Sequence, residues 1–162
     1  MFDRIESKLT DAPLNWSLED KIYQMLIVDF QNDELDWLAS KPWGGVIVFD
    51  KNVVSAQQLA ELNYRIMKDF PFPPFISVDQ EGGTVFRIDF PSYPAPPSQM
   101  AIGNIKDMYA AKIVANINGR LLRALGFNLV FSPVLDVNTN PYNPIINVRA
   151  FGEHPIQAAL YG

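Results

Sequence analysis

Two rhythms of apolar residues alternate along this chain: short runs rich in Val, Ile and Phe, and longer stretches with apolar positions three and four apart. Gly44-Gly45-Val46-Ile47-Val48-Phe49 and Phe75 to Asp79 read as buried strands, and Met25 to Phe30 and Phe127 to Phe131 share their character. Leu59, Leu62, Ile66 and Met67 recur on one face of a helix that Ser55 opens as N-cap and Pro71, Pro73 and Pro74 end. Asp107 to Leu125 is the longest predicted helix, closed by Gly126. Shorter helices are predicted from Ser17-Leu18-Glu19-Asp20 into Tyr23 and Gln24, and over Asp33 to Ala39. Phe90 to Ser98 is a Pro-rich loop, an Asn/Pro-rich loop runs on to Pro155, and Ile156 to Gly162 opens one more helix.

Strand and helix thus alternate through four units. Parallel strands joined by helices require right-handed crossovers and give an α/β sheet. Four units are half of a TIM (β/α)8 barrel, a fold that takes about 250 residues. The expected architecture is therefore α/β, the first half of such a barrel, forming one partial domain over residues 1–162 with no second domain.

Composition narrows the chemistry. A chain of 162 residues that is 48% hydrophobic can bury a domain-sized core. A formal net charge of −5, with Lys and Arg scattered, argues against nucleic acid and anionic membrane as partners. The absence of cysteine removes disulfides and thiolate metal sites, and a single histidine, His154, argues against a His-based zinc site. The start, Met1-Phe2-Asp3-Arg4-Ile5-Glu6, carries acids and no apolar run, unlike a signal peptide. No apolar stretch approaches the roughly 20 residues of a membrane helix. A cytoplasmic protein is expected.

The candidate chemistry sits where strands end. Val78-Asp79-Gln80-Glu81-Gly82-Gly83 places two acids at a strand tip and then two glycines that let the backbone turn sharply. Asp79 and Glu81 can bind hydroxyls or act as acid and base; equally, one can cap the turn or pair with Arg87, and Glu81 can point inward as a structural partner. Arg87 offers a planar fork of donors, or pairs with Asp89. Asp136 ends the fourth strand segment and either contacts ligand or accepts backbone N–H groups of the turn-rich loop that follows. Arg149 lies in a polar loop beyond it. His154, before Pro155, suits a solvated helix start, and Trp16, Trp37 and Trp43 suit packing at element edges. Gly44-Gly45 lacks the spacing of a phosphate loop.

Four segments in order carry a family resemblance: Gly44 to Phe49 with Asn52, Val78 to Gly83, Phe131 to Asn138, and Arg149-Ala150-Phe151-Gly152. Together the chain resembles the N-terminal domain of glycoside hydrolase family 3, most closely its bacterial β-N-acetylglucosaminidase (β-hexosaminidase) branch. The resemblance implies a (β/α)8 barrel, retaining hydrolysis of a carbohydrate substrate, and neither metal nor organic cofactor. It also implies that Asp79, Arg87 and Arg149 bind the sugar in the −1 subsite, with Glu81 and Asp136 as secondary candidates. Thr84 departs from the arginine common in the family, and His154 from its usual acidic or small residue.

The family's Lys-His segment, acid/base and nucleophilic aspartate do not occur in residues 1–162, so the chain supplies no catalytic residue. Four parallel strands would also leave a barrel edge unpaired. The chain is therefore expected to be part of a longer enzyme, or a half-barrel that pairs as a homodimer. A β-glucosidase or β-xylosidase of the same family, or a non-catalytic sugar-binding module, are the alternatives. The 162-residue chain alone is predicted inactive; turnover of a chromogenic β-N-acetylglucosaminide by it would contradict this.

Overall fold

A computed structural model describes residues 16–91, 93 and 95–162; the N-terminal Met1 to Glu6 segment lies outside them, as do Ser92 and Pro94 of the Pro-rich loop. The chain runs through α1 (Leu18–Gln24), β1 (Ile27–Val28), α2 (Leu35–Leu38), β2 (Gly45–Val48), α3 (Ala56–Asp69) and β3 (Phe75–Val78). It continues through β4 (Gln80–Gly82), β5 (Val85–Phe86), α4 (Gln99–Ile105), α5 (Met108–Ala124), β6 (Leu129–Val130) and α6 (Pro155–Tyr161). Four parallel strands form one sheet in the order β1-β2-β3-β6, and β4 and β5 make a separate antiparallel hairpin.

The register sorts the strand residues onto two faces. Val28, Val46 and Ile76 stand side by side, as do Val48, Val78 and Val130. These pack against Leu59, Leu62 and Ile66 of α3 and Leu122 of α5, and Val46, Val48, Ile76 and Val78 are fully buried. The alternate positions Ile27, Gly45 and Phe75, then Ile47, Ser77 and Leu129, face the other way. Phe75 is 55% exposed there, on the face that a closed barrel turns inward. The apolar rows thus follow the alternation, and the helices cover one side.

Caps set the helix starts. Ser17 Oγ accepts the Asp20 N–H at 3.1 Å, Ser55 Oγ the Gln58 N–H at 3.1 Å, and Asp107 Oδ1 the Tyr109 N–H at 2.8 Å. After α5, Gly126 takes a left-handed φ of +92°, the conformation expected of a helix-closing glycine.

Several elements differ from expectation. Met25 closes α1 rather than opening a strand: its N–H bonds Ile22 and Tyr23 carbonyls, so only Ile27 and Val28 pair with β2. The helix expected over Asp33 to Ala39 splits into a 3-10 turn, Asn32–Glu34, and α2. The fourth strand is two residues, but Asn128 extends its hold, accepting the Ile76 N–H at 2.7 Å and donating to the Pro74 carbonyl at 3.0 Å. Helix α4 was not expected; Ser98 caps it, and Gly103 lets the Phe151 carbonyl approach where a side chain would collide.

One buried amide binds the strand ends together. Asn52 is fully buried, accepts the Phe49 N–H at 3.0 Å and donates to the Phe30 carbonyl at 3.0 Å. Replacing it by alanine leaves both backbone groups without their partner. Asn52→Ala is expected to cost about 2–4 kcal/mol in urea unfolding of the intact protein; an unchanged midpoint would contradict this role.

Candidate functional site

Because β3 ends at Val78, Asp79 is the first residue past the strand at its C-terminal tip. Its Oδ2 lies 3.7 Å from Arg87 Nη2, with the side chains about one-quarter and one-third exposed. At that distance the pair interacts through charge and leaves hydrogen-bonding capacity on both groups. The Arg87 guanidinium also sits over the Phe49 ring, 5.5 Å from its centroid. Of the pairings considered from the sequence for Arg87, with a strand-tip acid or with Asp89, the structure has the one with Asp79.

Gln80 points away from this pair and is fully buried. Its Oε1 accepts the N–H groups of Arg87 at 2.9 Å and Ile88 at 3.2 Å, which fixes the backbone that carries the Arg87 side chain. The Gln80 carbonyl accepts from Asn118 Nδ2 at 2.9 Å, and Asn118 Oδ1 accepts the Tyr93 hydroxyl at 3.1 Å. Burial raises the Tyr93 pKa, so the phenol remains a donor. Sequence reasoning missed this network; its signal was an amide between two acids at a strand end.

Glu81 belongs to β4 and is buried. Arg149 grips it side-on, Nε to Oε2 at 2.8 Å and Nη2 to Oε1 at 2.8 Å. The hydrogen bonds to Glu81 raise the Arg149 pKa most; burial opposes them, and the charges of Glu81, Asp136 and Asp79 add to the rise. Arg149 ends a 3-10 turn, Asn147–Arg149, whose first residue has a left-handed φ of +37°. The fold therefore gathers Asp79, Arg87, Glu81 and Arg149 at one end of the sheet, and the exposed Asp136 is close enough for its charge to act on Arg149.

Other candidates fall outside this group. His154 is exposed and its Nδ1 accepts the Ile156 N–H at 3.3 Å as the cap of α6. Trp43 packs edge-on against Tyr23 at 4.6 Å, and Trp16 contacts Phe72 at 4.5 Å. Trp37 is exposed and leans on Trp43. Among the described residues, no cluster of three His, Asp or Glu side chains is placed to hold a metal ion, and no helix is long and apolar enough to cross a membrane.

The turn after the acids depends on its glycines. Gly82 and Gly83 have φ of +91° and +61°, and Gly83 donates its N–H to the Pro96 carbonyl at 3.0 Å. A methyl group on Gly82 would lie 2.5 Å from the Pro97 carbonyl oxygen.

Asp79 stands at the C-terminal tip of a parallel strand, the end of a βα sheet where barrel enzymes carry their sites, and the hairpin and the 3-10 turn bring Arg87, Glu81 and Arg149 to the same end. The model of the glycosyl hydrolase family 3 N-terminal domain matches residues 17–162, and the chain belongs to that family. It is 40% identical over 128 residues to "Beta-hexosaminidase A" of Pseudoalteromonas piscicida, covering 74% of this chain and 21% of that protein. It is 35% identical over 134 residues to a "Beta-hexosaminidase" of Xylella fastidiosa strain M12, covering 79% and 39%. The fold superposes with TM-score 0.85 and 34% identity on a glycoside hydrolase family 3 β-N-acetylglucosaminidase from Paenibacillus sp. str. FPU-7, over 91% of this chain and 30% of that one. The chain thus spans well under half the length of these relatives.

Gly82→Ala is expected to cost at least about 1–3 kcal/mol in denaturant unfolding of the intact protein, from backbone strain before any clash with Pro97. Wild-type stability in that variant would show the turn to be more adaptable than its geometry indicates.

Proposed function

We propose that this chain is the sugar-binding part of a retaining glycosidase that cleaves β-linked N-acetylglucosaminides, with Asp79, Arg87 and Arg149 binding the −1 sugar. The observation that carries the proposal is the Asp79–Arg87 pair: a strand-tip carboxylate and a guanidinium, both partly exposed and 3.7 Å apart, neither saturated by the other. A carboxylate accepts from two vicinal hydroxyls, and a guanidinium donates to ring substituents beside them. Bonds of this kind that tighten as the sugar ring flattens toward an oxocarbenium-like state lower the barrier more than they strengthen ground-state binding.

The substrate class is supported by the names of the relatives, two β-hexosaminidases and a β-N-acetylglucosaminidase. A retaining mechanism needs a nucleophile and an acid/base about 5–5.5 Å apart. In this proposal both come from the part of the longer relatives that residues 1–162 do not span. The residues of this chain bind and orient the sugar; they do not form or break its glycosidic bond.

Asp79→Asn in the intact enzyme keeps the shape and loses the charge-assisted bonds. The expected loss is about 2–4 kcal/mol of transition-state binding, a fall in kcat/KM of roughly 30- to 1000-fold with 4-nitrophenyl N-acetyl-β-glucosaminide. Hydrolysis at nearly the wild-type rate would remove Asp79 from the site.

A further inference from the structure

We infer that Glu81 is a positioning residue for Arg149: it locks the guanidinium side-on, so that one free N–H on Nη1 and one on Nη2 stand ready as a second fork for two adjacent sugar oxygens. This deepens the functional reading above and rests on it.

An arginine has five N–H groups in a fixed plane. In Arg149, Nε and one Nη2 hydrogen go to Glu81, and one Nη1 hydrogen goes to the Ile145 carbonyl at 3.3 Å. Two hydrogens remain, one on each terminal nitrogen. With the Nη1 hydrogen on the Cδ side assigned to the Ile145 carbonyl of the same backbone segment, these two are the parallel pair at the end of the planar guanidinium, directed away from Glu81.

Burial is divided unequally between the partners. The Glu81 side chain is 5% exposed, while that of Arg149 is 26% exposed. A clamp that served only to join two segments would need neither partner open. Here the acid is sealed inside and the arginine keeps both exposure and donors. Both Glu81 oxygens accept from Arg149 and the side chain is sealed from solvent, which leaves little of the carboxylate open to a ligand.

The backbone explains why such a lock is needed. Arg149 hangs from an irregular segment, a single 3-10 turn after a loop, whereas Glu81 stands on β4 between Gln80 and Gly82, which pair with Phe86 and Val85 of β5, and just before the glycine turn. A long side chain on an irregular base loses much rotamer freedom on binding unless something has already fixed it. Glu81 does so before the ligand arrives. The negative charges of Asp79 and Asp136 near Arg149 favour its charged form without occupying the free fork.

The test uses the intact enzyme and 4-nitrophenyl N-acetyl-β-glucosaminide, with kcat and KM resolved and thermal unfolding recorded for each variant. Glu81→Asp keeps the ion pair but draws the carboxylate back by one methylene, so the arginine is displaced while the charges still meet. It is expected to unfold close to the wild-type temperature yet lose about 100-fold in kcat/KM, mainly in kcat, the scale of a roughly 1 Å misplacement. Glu81→Gln is expected to lose at least as much. In an Arg149→Ala background, Glu81→Gln should change kcat/KM by less than about twofold, because the residue it positions is gone. Wild-type kcat/KM in Glu81→Asp, or an undiminished effect of Glu81→Gln in the Arg149→Ala background, would overturn the inference. A wild-type enzyme inert on the substrate would instead overturn the glycosidase reading, and this inference with it.

Discussion

The register between β2 and β3 is the constraint on which the site depends. Gly45 pairs with Phe75 and Val48 with Val78, so Val46, Val48, Ile76 and Val78 all enter the layer beneath α3 and α5. A slip of one residue would turn that whole set to the opposite face and bring Phe75 and Ser77 under the helices. The burial of four fully enclosed aliphatic side chains opposes it. Since β3 stops where this row stops, the register also decides that Asp79 emerges at the rim. The position of a polar functional group is thus set by apolar packing beneath it.

Beyond the rim, three consecutive residues part company. Asp79 faces Arg87, Gln80 turns inward to the backbone of Arg87 and Ile88, and Glu81 turns to Arg149. Strand alternation accounts for the reversal at Gln80, and the register irregularity between Gln80 and Gly82 accounts for the separate destinations of the two acids. Each arginine therefore has a carboxylate within the same short segment. The two pairs differ in kind: one is long, with both partners partly exposed, and the other is short and bidentate, with its carboxylate sealed. That difference separates a group free to meet a ligand from a group whose task is to hold another.

Much of this was legible in the sequence because it rests on local rules. The β2 and β3 runs, the amphipathic α3, the long α5 with its closing glycine and the turn at Gly82-Gly83 all follow from periodicity and backbone preference. What was not legible depends on partners far along the chain. Helix α4 lies against a Pro-rich loop and contains a glycine, and its place is fixed by the approach of Phe151 to Gly103. The choice of Asp79 over Asp89 for Arg87 is made by the hairpin, whose path Gln80 fixes. That Glu81 belongs to Arg149, 68 residues later, has no local signal at all.

The two faces of the sheet bear on how the site is held. The helix-side face buries Val46, Val48, Ile76 and Val78, whereas Ile27 and Phe75 on the other face are 38% and 55% exposed. The hydrophobic effect acts in proportion to apolar area removed from water, so the settled face carries most of the free energy that orders β2 and β3. Asp79 and the Gln80 carbonyl are anchored to that face through Val78 and Asn118 of α5. Arg149 is held by a 3.3 Å bond to the Ile145 carbonyl of its own segment and by the two shorter bonds to Glu81 across the site. Covering the open face would therefore add stability to the strands while altering the Asp79–Arg87 geometry little, because those residues already take their positions from the opposite side.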